Sequence, residues 1–304
     1  MTKIGSPSGT QWVLRRAGDE AVVVEVGGGL RSYRVAGQEI IDGYADHELC
    51  PSGAGQVLAP WPNRIRDGRY TFGGTDHQLP ITEPEQGTAS HGLVRWLPWQ
   101  AVEVETDRVL LATVLPAQPG YPWTLALTTE WSLGEDGLRA EHTATNRSDQ
   151  PCPFGLGTHP YLRIPGVPTD ELVLSVPAAS RLLLDSRLLP VGVERLAGGD
   201  HDFRTPRRIG ATVLDTTFGD VAAGAGTVGI STVDGAEVAV WADAAFCWWQ
   251  VFTADTLAGG RRRRSVAVEP MTCPPDAFNS GRDLVTLEPG QAWRGGWGIR
   301  AKLV

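Results

Sequence analysis

Lysine is almost missing from this chain, standing only at Lys3 and Lys302, and methionine is confined to Met1 and Met271. Scarcity of these helix formers, set against 37 glycines and 22 prolines, argues for many short strands joined by turns. A basic excess is absent too. The formal charge of −8 argues against a nucleic-acid partner, because phosphate binding needs a clustered basic surface. The four cysteines, Cys50, Cys152, Cys247 and Cys273, lie far apart without a CxxC pair. That spacing excludes a zinc ribbon and, at this length, argues against a disulfide framework. No stretch approaches the roughly 20 apolar residues of a membrane span. The N-terminal MTKIGSPSGTQWVLRRAG lacks the apolar run of a secretory leader. A GxSxG elbow, the marker of many serine hydrolases, is also missing. The expectation is a cytoplasmic, soluble protein with reduced thiols and no membrane association.

What is present is alternation. EAVVVEV (20–26) and LRSYRVAG (30–37) read as a hairpin, as do WQAVEVE (99–105) and RVLLATVL (108–115). WTLALTTEWSL (123–133) turns through GEDG into LRAEHTATN (138–146) with strict period two. EVAVWAD (237–243), FCWWQVFTA (246–254), SVAVE (265–269) and WRGGWGIRAKLV (293–304) extend the series. No long segment shows a 3.6-residue period; a short helical turn is expected near 275–281. The pattern predicts an all-β, mostly antiparallel protein with two large sheets packed face to face. No linker divides it, so residues 1–304 are expected to form one domain. Residues 186–204 read as a long loop within it.

Four polar stretches interrupt the strands. APWPNRIRDGRYTFGG (59–74) carries Asn63 and Arg64, SHGLVRW (90–96) carries His91, FGLGTHPYLRI (154–164) carries His159, and SVAVEP (265–270) ends on Glu269 against a proline. Each alone is unremarkable: a surface pair, a structural histidine, a strand-end charge. Together they offer a carboxylate, two histidines and an arginine at loops and strand ends, where sites concentrate. That set suits acid–base chemistry on a polar substrate, with a carboxylate taking one proton and an imidazole giving another. Arg64 can donate several fixed hydrogen bonds to substrate oxygens. A metal triad of His91, His159 and Glu269 is the rival, but neither an HxH nor an HxxxH spacing supports it. No metal and no cofactor are expected.

These motifs, taken in order, resemble the aldose 1-epimerases, or galactose mutarotases. NRI with its hairpin (63–74), HGLVR (91–95), THPYLRI (158–164), VLDTTFGD (213–220) and VAVEPMTCPPDAFNSG (266–281) each match a family segment. The resemblance implies a large antiparallel β-sandwich, the supersandwich, with a sugar cleft on a concave sheet. It implies cofactor-free interconversion of the α- and β-anomers of a free aldose. Glu269 is then the general base on the anomeric hydroxyl, and His159 the general acid on the ring oxygen. His91 holds the ring-oxygen region, Arg64 and Asp215 grip sugar hydroxyls, and Asn63 and Gln250 belong to the same shell. The chain departs from the family at Arg163, where a neutral side chain is more usual. RRRR (261–264) reads as a solvated turn or, alternatively, as an anion site for a phosphorylated or sulfonated sugar. A non-catalytic carbohydrate-binding sandwich is the alternative from another class. Trp61, Trp96 and Trp249 are the tryptophans placed to stack on a sugar. A small sugar is the expected partner, and the expected assembly is a monomer or homodimer.

Overall fold

The computed structural model describes residues 5–221 and 226–304; residues 1–4 of the N-terminal stretch considered above lie outside it. Among the described residues the regular structure is almost all strand, and every ladder is antiparallel. A nine-stranded sheet runs, in spatial order, through Gln100–Val104, Arg108–Leu115, Leu125–Gly134, Gly137–Asn146, Ala292–Lys302, Glu237–Ala242, Thr227–Ser231, Val173–Ser175 and Arg207–Arg208. An eight-stranded sheet runs through Pro190–Arg195, Ala178–Leu184, Asp215–Val221, Trp248–Phe252, Val266–Met271, Gly157–Thr158 and Val57–Leu58, with Tyr161–Leu162 pairing beside Val266–Met271. The expected helical turn is Ala277–Ser280.

Period-two sequence becomes period-two burial. Leu125, Leu127, Trp131 and Leu133 point inward while the residues between them stay partly exposed. Val109, Leu111, Trp131 and Trp297 from the nine-stranded sheet share one core cluster with Val57, Phe218, Trp249, Val251, Val266 and Val268 from the other. Each such side chain withdrawn from water contributes about 1.5–3 kcal/mol. This common core leaves the far face of the eight-stranded sheet free to carry polar groups.

Two expectations need correction. Residues 186–204 contain the strand Pro190–Arg195, whose Val191 and Val193 are exposed. It lies at the sheet edge, and its alternating valines face solvent instead of the core. The Glu269 strand also does not stop at Pro270; it continues to Met271, with Pro270 opposite Trp249. Val268 and Thr272 donate backbone N–H groups to Pro160 and Leu156 on one side. Pro270 falls between them, in register with Thr158 in the break between the Gly157 and Tyr161 pairings, so its missing N–H falls where the ladder is already interrupted.

One core histidine is fully satisfied. The Trp297 indole N–H donates to His142 Nε2 at 2.8 Å, so this nitrogen is the acceptor and Nδ1–H donates to Thr129 Oγ1 at 2.8 Å. Burial holds the His142 pKa at about 3, against an ordinary 6.5. The unfolded chain therefore binds more protons between these values, and stability falls as pH drops below about 6.5. Urea titrations should show His142→Gln to be less stable at neutral pH but with a shallower loss toward pH 5, by up to about 1.4 kcal/mol per pH unit. Parallel slopes would contradict this.

Candidate active site

Directly paired residues on neighbouring strands share a sheet face, so register alone gathers one set of side chains. Gln250 is opposite both Thr217 and Glu269, and Phe252 is opposite both Asp215 and Ala267. Val266 and Val268 point the other way, into the core. Asp215, Gln250 and Glu269 thus line one cleft of about 450 Å³, together with Asn63, Arg64, His91 and His159. All seven residues singled out from the sequence meet there.

Loop geometry delivers the rest. Asn63 and His91 both adopt left-handed backbone, at φ 53° and 61°, and the Asn63 carbonyl accepts the His91 N–H at 2.8 Å. Gly92 follows at φ 70°, where a Cβ would come within 2.1 Å of the Ala59 carbonyl oxygen, so only glycine fits after His91. His159 stands in the gap between Gly157–Thr158 and Tyr161–Leu162, and Tyr161 stacks on its ring at 4.8 Å between centroids. Gly53 packs against its other side, since a Cβ there would lie 3.3 Å from the imidazole.

The central contact joins His159 Nε2 to Glu269 Oε1 at 3.3 Å, with side chains only 7% and 3% exposed. The two groups touch; no sugar-sized gap separates them. Burial pushes the Glu269 carboxyl well above the usual carboxylate range, Asp215 adds to this, and Arg64 opposes it. Burial also holds His159 down to about 3, with Arg95 and Arg64 adding to the effect. His91 is lowered by burial and by His159, Arg95 and Arg64. Both shifts in the central pair disfavour charge, so at neutral pH it holds one proton between two sites.

Glu269 Oε2, His159 Nδ1, His91 Nδ1 and Ser90 Oγ are buried without a protein partner. Such a concentration of orphaned polar atoms in one cleft is the mark of a ligand site. Gln250 donates to Asp215 at 2.5 Å and accepts from Thr217 at 2.5 Å, which fixes its amide. Asp215 is raised by burial, with Arg64 and Gln250 opposing.

Glu83 and Arg95 are among the cleft residues with no assigned role in the sequence reading. Glu83 holds Arg64 through both oxygens, at 2.7 and 3.1 Å to Nε and Nη2. Nothing local announces that pair, because the partners are 19 residues apart. Arg95 also lines the cleft; it closes the HGLVR motif, which was the available signal.

Other expectations fail here. Trp61 and Trp249 are buried in the core, and Trp96 lies exposed against Arg95; none lines the cleft. Arg163 approaches Glu39, Arg261 and Arg264 pair with Asp42, and Arg263 pairs with Asp170 and Asp255, all outside the cleft. Long side chains beside a motif in sequence found nearer carboxylates in space.

The aldose 1-epimerase family model matches residues 10–300. The chain belongs to that family. It is 35% identical over 290 residues to the uncharacterized protein YihR of Escherichia coli K12, covering 93% of this chain and 91% of that one. Galactose mutarotase of Mus musculus is 29% identical over 170 residues, 53% of this chain and 48% of the mouse protein. In structure, the chain is similar to a GalM/aldose epimerase homologue from C. elegans, with a TM-score of 0.86, 17% identity and 97% and 99% of the two chains covered. A putative aldose 1-epimerase from E. coli K12 superposes with a TM-score of 0.84 at 19% identity, covering 97% and 99%. At these identities the structural likeness establishes the supersandwich fold, whereas the family model covers the motifs that build the cleft.

Imidazole nitrogen shifts in a pH titration should find His159 still neutral at pH 5, two units above its folded value of about 3. Protonation near the ordinary 6.5 would refute the desolvated pair.

Proposed function

We propose that this chain is an isomerase, an aldose 1-epimerase, interconverting the α- and β-anomers of a free aldose by acid–base ring opening and closure. The observation that carries the reading is the 3.3 Å contact between two buried groups, each with a second polar atom left unpartnered in the cleft. The hydroxyl oxygen and the ring oxygen of an aldose share one carbon, so an acid and a base serving both must stand side by side. His159 and Glu269 do so.

With the pair's proton on His159, Glu269 takes the proton of the anomeric hydroxyl while His159 protonates the ring oxygen. The C1–O5 bond breaks as C1=O1 forms, giving the open aldehyde. Rotation about C1–C2 presents the other face. The ring hydroxyl then attacks C1, His159 recovers its proton, and Glu269 returns one to O1. Between these events Glu269 is protonated and His159 neutral, the arrangement that burial favours. The cleft thereby supports the open-chain stage without separating charge. Arg64, Asp215, His91, Asn63 and Gln250 are assigned to hold the sugar's oxygens so that it stays in place while open. The shared core favours residues 1–304 working as one unit.

Arg95 favours a second reading within this one. Arg64 is held by Glu83, but Arg95 has no carboxylate within ion-pair distance among the described residues, and burial lowers its pKa. An uncompensated guanidinium facing the cleft suits an aldose bearing a phosphate, sulfonate or carboxylate. Glu83, already engaged with Arg64, is the lining carboxylate whose charge acts on Arg95, and Glu85 lies exposed at the rim.

Exchange NMR on anomerically pure sugars tests both readings. Glu269→Gln and His159→Ala should each lose on the order of 10²-fold or more in catalysed exchange while remaining folded; wild-type rates in both would leave only a binding module. Arg95→Gln should cost about tenfold in kcat/KM for an anionic aldose and little for a neutral one. Equal losses would discard the anionic reading.

A further inference from the structure

Two separate pieces of chain roof the cleft. One is the 82–90 turn, where Glu83 and Thr88 exchange backbone hydrogen bonds and Glu83, Glu85 and Gln86 face inward. The other is the tip of the hairpin between Ala178–Leu184 and Pro190–Arg195, which contributes Leu188. This hairpin is the outer edge of the eight-stranded sheet, and no ladder connects it to the turn.

Arg187 joins them. Its Nε donates to the Gln86 carbonyl at 2.7 Å, and Nη2 donates to the Gly87 carbonyl at 2.9 Å and the Asp67 carboxylate at 2.6 Å. The two carbonyls lie just before Thr88–Ser90, and Asp67 just after Arg64–Arg66, the antiparallel partner strand. One guanidinium therefore ties the two strands of this pair together at the Arg66–Thr88 end, with Arg64 at the other. Its base is rigid, because Asp185 Oδ1 accepts the N–H groups of Arg187 and Leu189 at 2.8 and 3.0 Å, and Leu188 takes left-handed backbone at φ 61°. Among the described residues, the only other ionic link between the tip and this strand pair is a long one, from Arg66 to Asp185 at 3.9 Å.

Inside the turn the chain of contacts continues. Glu83 grips Arg64 with both oxygens, and Thr88 Oγ1 donates to Glu83 at 2.8 Å. Movement at Gln86 and Gly87 is thus passed to Glu83 and from there to the guanidinium that faces the cleft. We propose that Arg187 is a positioning residue for sugar binding: it fixes the turn carrying Glu83 and, through Glu83, the orientation of Arg64. The proposal rests on reading this cleft as the sugar site.

Affinity and coupling separate this role from that of a plain surface staple. For an aldose that the wild-type protein turns over, Arg187→Ala should raise KM about tenfold while kcat stays within about threefold. Arg187→Lys, which keeps the charge but loses the fork, should fall between the two. Glu83→Gln should also raise KM, and adding Arg187→Ala to it should add nothing further, since both act through Arg64. A wild-type KM in Arg187→Ala, or effects of the two substitutions that multiply, would overturn the proposal. If Arg187→Ala proves unstable, Arg187→Lys and Asp67→Asn take its place, and unchanged KM in both overturns it equally. Calorimetric titration of the same sugar into Glu269→Gln chains with and without Arg187→Ala gives a readout free of turnover. A tenfold weaker Kd supports the clamp whether or not the catalytic assignment stands, and equal Kd values refute it.

Discussion

The contact between His159 and Glu269 constrains almost everything else in the molecule. Two ionisable groups are buried 3.3 Å apart, where an unpaired charge on either would cost several kcal/mol. They are tolerated because they share a proton. The sheet supplies the rigidity such a pair requires: Val266 and Val268 anchor the inner face of the Glu269 strand, and the ring of His159 is held between Tyr161 and Gly53. A freely moving imidazole would exchange the contact for water, and the matched shifts of both groups would disappear.

Around this pair the charges are arranged in layers. Asp215 is kept in place by the Gln250 amide, which Thr217 orients in turn, so a second carboxylate sits close enough to raise Glu269. Arg64 acts in the opposite direction on both carboxylates, yet its own orientation belongs to Glu83. Arg95 stands apart with no such partner. The site thus contains one guanidinium held by the protein and one left for whatever enters. That difference, more than the number of arginines, sets the charge that the cleft presents.

Much of this was legible in the chain. The 123–146 hairpin could hardly be anything else, because period-two alternation over both arms matches a sheet with one buried face. The polar motifs were visible as interruptions of that pattern, and all seven candidate residues converge on the cleft. Legibility failed where a residue's partner is remote. Pro190–Arg195 packs no face against the core, so its two valines, divided by Gly192, make too short a pattern to mark a strand. Pro270 looked like a strand end because a proline removes a ladder donor, and the gap that accommodates it, between the Gly157 and Tyr161 pairings, is made by a segment more than a hundred residues earlier. Of the tryptophans beside the motifs, Trp61 and Trp249 were claimed by the core and Trp96 stayed exposed against Arg95.

Local chemistry set the all-β class, the turns, the left-handed Asn63 and His-Gly corners, and the residue types of the cleft, because alternation, glycine and proline act on their immediate neighbours. Tertiary structure decided which groups touch. It placed His159 against Glu269, gave Arg64 to Glu83, left Arg95 without a carboxylate at ion-pair distance among the described residues, and turned Arg261, Arg263 and Arg264 away toward Asp42, Asp255 and Asp170. Those pairings follow from strand register and loop packing across the whole sheet, and electrostatic energy depends on distance in space, which the order of residues along the chain does not specify.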